Sequence, residues 1–320
     1  MGRSPRSIVV SGPSTRCVPA CWSALKGGHV NRKLWIAALA VPALSAASLA
    51  AALPGGAAGA AASVPVRSYR TFGSMRAASS VHLAGTRLPR PARVTNSLVK
   101  SSNWSGYASV IKTSVTISEI TADFTVPRVN CARSTLGTSG NAYDSTWAGL
   151  DGFGDNTVEQ EGVDGFCTST KGPPSYFAWY EMFPNAPVAF TGVSPGDAIS
   201  VTTDKVGRNW VLTLHDLTTG GGFTTTQPCP SGARCRDASA EVITEDPGSA
   251  TPFFDLADFA LVNHTAIVLH ASTGVLRSLV APTLWNTDEI EMIDGSGNLM
   301  AVPSTLYAGQ AFNIGWSRGS

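Results

Sequence analysis

Read as strands, four short stretches of this chain gather carboxylates, an amide and tryptophans on single faces, because strand side chains alternate between two sides. In AEVITED, residues 240–246, Glu241, Ile243 and Glu245 share one side. In TVEQEGVDG the shared set is Val158, Gln160, Gly162 and Asp164. In STWAGLD it is Trp147, Gly149 and Asp151, and in AWYEMFP it is Trp179, Glu181 and Phe183. The plain reading puts such aromatics in a core and such acids in water. It strains at Trp179-x-Glu181-x-Phe183, where a carboxylate between two large rings must either be paired in the interior or line a groove. Aromatic walls with a few convergent polar groups describe a ligand cleft. The chemistry on offer is proton transfer by a carboxylate and hydrogen-bond donation by an uncharged amide.

Other chemistries lack their patterns. There is no G-x-S-x-G elbow, H-E-x-x-H, P-loop or G-x-G-x-x-G. The five histidines show no metal-like spacing, and NHTAIVLH puts His264 and His270 on one strand face as edge or core residues. No metal and no cofactor are expected. DEIEMID, residues 288–294, offers Glu289, Glu291 and Asp294. A retaining glycosidase needs two carboxylates ~5–5.5 Å apart, so the alternative function is a secreted carbohydrate-active jelly-roll protein, either a glycoside hydrolase or a lectin. The E-x-D-x-x-E order of one such family is not met there, and an exposed edge strand is the simpler expectation. A binding-only module is a third reading, and it would need no Gln160 and Glu245 together.

These faces need strands to carry them. From about Ser101 onward, short alternating runs are separated by Gly, Pro, Asn and Asp: NWSGYASVIK, VTISEITADFTVP, AISVTTDKV, NWVLTLHDL, FALVNHTAIVLH and EIEMID join the four above. None holds a 3.6-residue period over three turns, which predicts an all-β sandwich of jelly-roll type over residues 98–320.

The rest of the chain is of another kind. The net charge of +1 over 320 residues hides an asymmetry: residues 1–95 hold twelve of the 23 Lys and Arg and no acid. Beyond residue 95, 22 acids face eleven bases, −11 by count. The acidic part offers no basic patch for nucleic acid. Residues 1–57 read as a leader and signal peptide, with Arg32 and Lys33 before an apolar run and an Ala-rich end suited to cleavage. Some thirty residues precede the run, which is long for such a leader, so a start at Val30 through a non-AUG codon is the expectation attached to it. Secretion to the extracellular space follows, without stable membrane association after cleavage. Residues 58–97 are Ala-, Ser-, Arg- and Pro-rich and read as a basic pro-segment, able to cover an acidic domain electrostatically and to release it as carboxylates protonate. Four cysteines lie beyond the leader, an even set in an exported chain. Cys229 and Cys235 bracket the turn PSGAR and are expected to pair, leaving Cys131 for Cys167.

Taken in order, SNWSGY, WAGLDG, EQEGVD, AWYEMFP, PGDAISVTT, LTLHDLTTG and AEVITEDP resemble the landmarks of the glutamic peptidases, or eqolisins, from about Ser101 to the C-terminus. The leader composition suits a bacterial-type member from a high-GC actinobacterium. The resemblance implies a sandwich of two large curved antiparallel sheets and an endopeptidase acting in acid on proteins and peptides, insensitive to pepstatin, as a monomer. It implies catalytic roles for Gln160 and Glu245. It further implies that Trp147, Asp151, Asp164, Trp179, Glu181 and Phe183 line the substrate cleft, and that the pro-segment is an intramolecular inhibitor. Phe183 stands where the family often has Tyr, so a hydroxyl contact is lost. FGDN follows WAGLDG where the fungal pattern has a cysteine-bearing loop.

Overall fold

The structure is a computed structural model; it describes residues 97–248 and 255–319, and the backbone of two short upstream strands. The leader, the signal peptide and nearly all of the pro-segment lie outside the described residues. The strands are β1 (Arg70–Thr71), β2 (Gly73–Ser74), β3 (Leu98–Ser101), β4 (Trp104–Ile111), β5 (Ile117–Thr125), β6 (Ala142–Leu150), β7 (Val158–Cys167), β8 (Ser175–Phe183), β9 (Val188–Thr191) and β10 (Ala198–Val206). They continue with β11 (Asn209–Asp216), β12 (Gly221–Pro228), β13 (Ser239–Glu245), β14 (Asp255–Leu256), β15 (Leu261–Ala271), β16 (Leu276–Arg277), β17 (Trp285–Ile293), β18 (Leu299–Pro303) and β19 (Phe312–Trp316). Among the described residues there is no helix.

Two antiparallel sheets result. One runs β9–β8–β7–β6–β13–β4–β17. The other runs β12–β11–β10–β5–β15–β19. Strand β18 pairs with both β17 and β19 and so joins them. The alternation seen in the sequence is what separates the layers. Leu150, Val163, Ala178 and Val242 point from the first sheet toward Ile120, Val201, Leu212 and Leu269 of the second, forming the main core. The opposite faces of the same strands place Trp104, Trp147, Trp179, Phe177, Ile243 and Ile290 in a separate apolar cluster. Burial of this many β-branched and aromatic side chains on a pleated surface is what stabilises these elements as strands. The β10–β11 hairpin shows the local control: Val206 pairs with Asn209, and Gly207 takes φ +64° in the two-residue turn, as such turns demand.

Both expected disulfides, Cys131–Cys167 and Cys229–Cys235, are formed. Two features differ from expectation. Strand β17, which carries DEIEMID, is not an edge: β4 and then β18 flank it on one side, and β3 on the other. Ile290 and Met292 are both buried, as the apolar positions of a strand covered by neighbours are. Second, Glu159 and Glu161 of β7 turn away from Gln160 and are fully buried.

Candidate active site

Strand β6 is the axis of the site, with β13 on one side and β7 then β8 on the other. Its pairing sets three rows across the sheet. Trp104, Glu245, Ser145, Asp164 and Phe177 lie opposite one another in the first. Gly106, Ile243, Trp147, Gly162 and Trp179 form the second. Ala108, Glu241, Gly149, Gln160 and Glu181 form the third. Gln160 and Glu245 therefore share a face, two strands and two rows apart, which on a flat regular sheet is roughly 17 Å between Cα atoms. Trp147 and Gly149 of β6 lie on that face between the two. The glycines make this packing possible. A Cβ on Gly149 would lie 2.8 Å from the Cβ of Gln160, and one on Gly162 would lie 2.6 Å from the Cβ of Trp147.

The polar groups are interlocked. Trp147 Nε1 donates to Glu245 Oε2 at 2.9 Å, and Asn103 Nδ2 donates to Glu245 Oε1 at 3.2 Å. Gln160 Nε2 donates to Glu181 Oε2 at 2.7 Å, while its own carbonyl Oε1 accepts no hydrogen bond among the described residues. Trp179 Nε1 donates to Asp164 Oδ1 at 2.7 Å, repeating on β8 and β7 the pairing of an indole with a carboxylate one row away. All of these side chains are buried. Each indole body packs in the apolar cluster while its N–H satisfies a carboxylate, so the same residue serves both packing and polar order. Phe183 is partly buried at the end of β8, opposite Val158.

The two acids of AEVITED separate in kind. Burial holds the Glu241 carboxyl well above the usual carboxylate range, and the charges of Asp151 and Asp155 push it further the same way. Ser239 pulls in the other direction more than either charge pushes, and the Phe153 N–H adds a smaller pull, but burial outweighs both. Glu241 is thus a neutral neighbour in acid and places no second charge beside Glu245.

Asp151 takes φ +64° just past β6, and its carboxylate accepts the backbone N–H groups of Arg236, Asp237 and Ala238 at 2.6, 2.8 and 2.7 Å. It anchors the loop that leads into β13. Carboxylate oxygens of Asp151, Glu159 and Asp237 lie within 4.8 Å of one another. Lys205 Nζ already binds Asp237 at 2.9 Å, and the three N–H groups occupy Asp151, so this cluster fits shared protons better than a bound cation. Glu289, Glu291 and Asp294 do not converge on any common point of chemistry. Glu291 pairs with Lys100, and Asp294 is held by Asn298. Asn103 escaped sequence reasoning. It lies just before β4, at the head of the run NWSGYASVIK, where nothing local marks it as a partner of Glu245, and it meets Glu245 across 142 residues of chain.

A sequence model of the peptidase A4 family matches residues 102–302. Aspergillopepsin-2 of Aspergillus niger is 34% identical over 213 residues, covering 61% of this chain and 72% of that protein. Scytalidopepsin B of Scytalidium lignicola is 30% identical over 239 residues, covering 70% and 79% respectively. The crystal structure of scytalido-glutamic peptidase with a transition state analog inhibitor shares the fold, with a TM-score of 0.56 at 23% identity over 68% of this chain and 98% of that one. Fold and matched region together define a β-sandwich peptidase. The chain belongs to the peptidase A4 family, the glutamic peptidases or eqolisins. Its enzymology is peptide-bond hydrolysis, which displaces the carbohydrate-active reading of DEIEMID.

Proposed function

We propose that this peptidase is a secreted endopeptidase that works in acid through Glu245 and Gln160. One observation carries the reading. Glu245 has an N–H donor fixed on each carboxylate oxygen, while Gln160, on the same face, is oriented by Glu181 and keeps its carbonyl open. In the forward step Glu245 takes a proton from a water, and the water oxygen bonds to the scissile carbonyl carbon. The Gln160 carbonyl steers that water, and the second hydrogen of its Nε2 stabilises the oxyanion. Glu245 then delivers its proton to the amide nitrogen as the C–N bond breaks. Glutamine does not titrate, so the donor survives in acid, and a carboxylate with an ordinary value near 4.3 stays partly ionised where a histidine base would be charged. Trp147, Trp179, Asp164, Glu181 and Phe183 form the walls against which a peptide lies, and Asp151 secures the end of the cleft.

The pro-segment covers this acidic domain until acid releases it, and the monomer is the active unit. Charge supports the first statement, as does the backbone: β1 pairs with the outer strand β12 and β2 with the outer strand β9, one from each sheet. Digestion of casein at pH 3–5, unaffected by pepstatin, tests the activity. Glu245→Gln and Gln160→Ala should each lower kcat by ~10²–10³ or more with an unchanged near-UV spectrum. Near-normal proteolysis by Glu245→Gln would sink the assignment.

A further inference from the structure

We infer that Asn103 is a positioning residue for the general base, fixing both the orientation and the charge state of Glu245; this rests on the reading of Glu245 given above. The amide of Asn103 has only one useful orientation. Its Oδ1 lies 3.3 Å from Ser101 Oγ, a hydroxyl donor, so its Nδ2 is turned toward Glu245 Oε1 at 3.2 Å. The backbone of the same residue is stapled beside the base: Asn103 C=O accepts the N–H of Asp246, the residue after Glu245, at 2.8 Å. Ser101 Oγ also accepts the N–H groups of Asn103 and Trp104 at 3.3 and 3.0 Å, which locks the corner between β3 and β4. Trp104 in turn pairs with Glu245 across the β4–β13 ladder. The corner therefore delivers one donor to one oxygen of Glu245, while β6 delivers Trp147 to the other.

An amide is suited to this place for the same reason as at Gln160. It donates without titrating, whereas a lysine or histidine would add a charge and a serine is too short to span from the corner. A donor held on a carboxylate favours its charged form, which is the form that accepts a proton from water.

The test is the pH profile of kcat/KM and kcat for a peptide substrate, measured on the processed enzyme for Asn103→Ala, Asn103→Asp and Glu245→Gln, with melting curves for each. Asn103→Ala should lower kcat about tenfold with KM changed by less than about threefold, and should move the acidic limb upward by about half to one pH unit. Asn103→Asp is nearly isosteric and keeps the fold should the alanine variant fail to fold. Its introduced carboxyl can still donate while protonated, so activity should survive below about pH 4 and collapse above it. A merely structural residue would change Tm and leave both limbs in place, and wild-type pH profiles in both variants would overturn the inference. If Glu245→Gln is itself nearly as active as wild type, the reading of the base fails with it, and that outcome is distinct from a failure of Asn103 alone.

Discussion

Trp147 is buried in the apolar cluster and also donates to Glu245, so packing and chemistry meet in a single indole. Its ring is braced edge-on by Trp104, with centroids 5.0 Å apart. Trp147→Phe retains most of the packing and removes the N–H. A hydrogen bond to a charged group is worth ~1.5–3 kcal/mol, so kcat should drop by about ten- to a hundredfold while Tm moves by only a few degrees. A fall in Tm with unchanged kcat would place the indole in a purely packing role. Glu181 is the matching support for Gln160, and it is the carboxylate whose position between two aromatic residues was the first sign of a cleft in the sequence.

At the scale of the element, β7 carries the clearest conflict with ordinary burial. One face presents Gln160 and Asp164; the other sends Glu159 and Glu161 inward. Glu161 Oε2 accepts the hydroxyl of Thr203 on β10 at 2.8 Å, and burial raises its carboxyl well above the ordinary range. Glu159 is raised likewise, by burial first and then by the charges of Asp151 and Asp237. Burial and the charge of Asp155 push Asp151 up to about 6, against three N–H groups that pull it down. Asp144 is raised by burial and by Asp164. Acids whose folded pKa is raised contribute stability below their unfolded values near 4, and lose it as pH climbs through the folded values. The loss therefore begins above about pH 4, passes through about 6 for Asp151, and continues higher for the others. A tenfold difference in proton affinity between the folded and unfolded chain corresponds to about 1.4 kcal/mol. His264 works oppositely: burial lowers it to about 3, so its contribution fades as pH falls below its ordinary value. Glu159, Glu161, Asp144 and Glu241, in addition to Asp151, outweigh one histidine, and Tm should be higher at pH 4 than at pH 7. Glu159→Gln should narrow that gap by stabilising the protein at pH 7; an unchanged gap would remove Glu159 from the account.

At the scale of the molecule, charge is divided along the chain, with the bases ahead of the acids. A cationic segment held on an acidic sandwich is attracted through groups that acid neutralises and salt screens. Sequencing of secreted material after acidification should find a mature N-terminus between residues 95 and 101, and cleavage should be faster at high ionic strength. A fully active enzyme with the segment intact would rule out the inhibitor role. The sandwich itself is tied by Cys131–Cys167, which closes a loop of 36 residues; in the chain-entropy picture such a loop is worth about 4 kcal/mol.

Local pattern determined a good deal of this protein. Alternation placed Glu241, Ile243 and Glu245 on one face and Gln160 and Asp164 on another, since the period of a strand is two wherever the strand goes. The turn between Cys229 and Cys235 is short enough to be read as a closed loop, and the mixture of short runs and turn residues was sufficient for an all-β sandwich. What local pattern does not contain is which strands are neighbours. Only the pairing of β13, β6 and β7 puts the two faces on one sheet, and only the corner before β4 brings Asn103 to Glu245. The inward turn of Glu159 and Glu161 and the interior place of β17 depend on the second sheet and on β3 and β18. Contacts between residues more than a hundred positions apart are selected by the packing of whole layers, so the chemistry of Glu245 was visible as a residue type in the sequence, while its donors, its neutral neighbour Glu241 and the amide opposite it were decided by the tertiary structure.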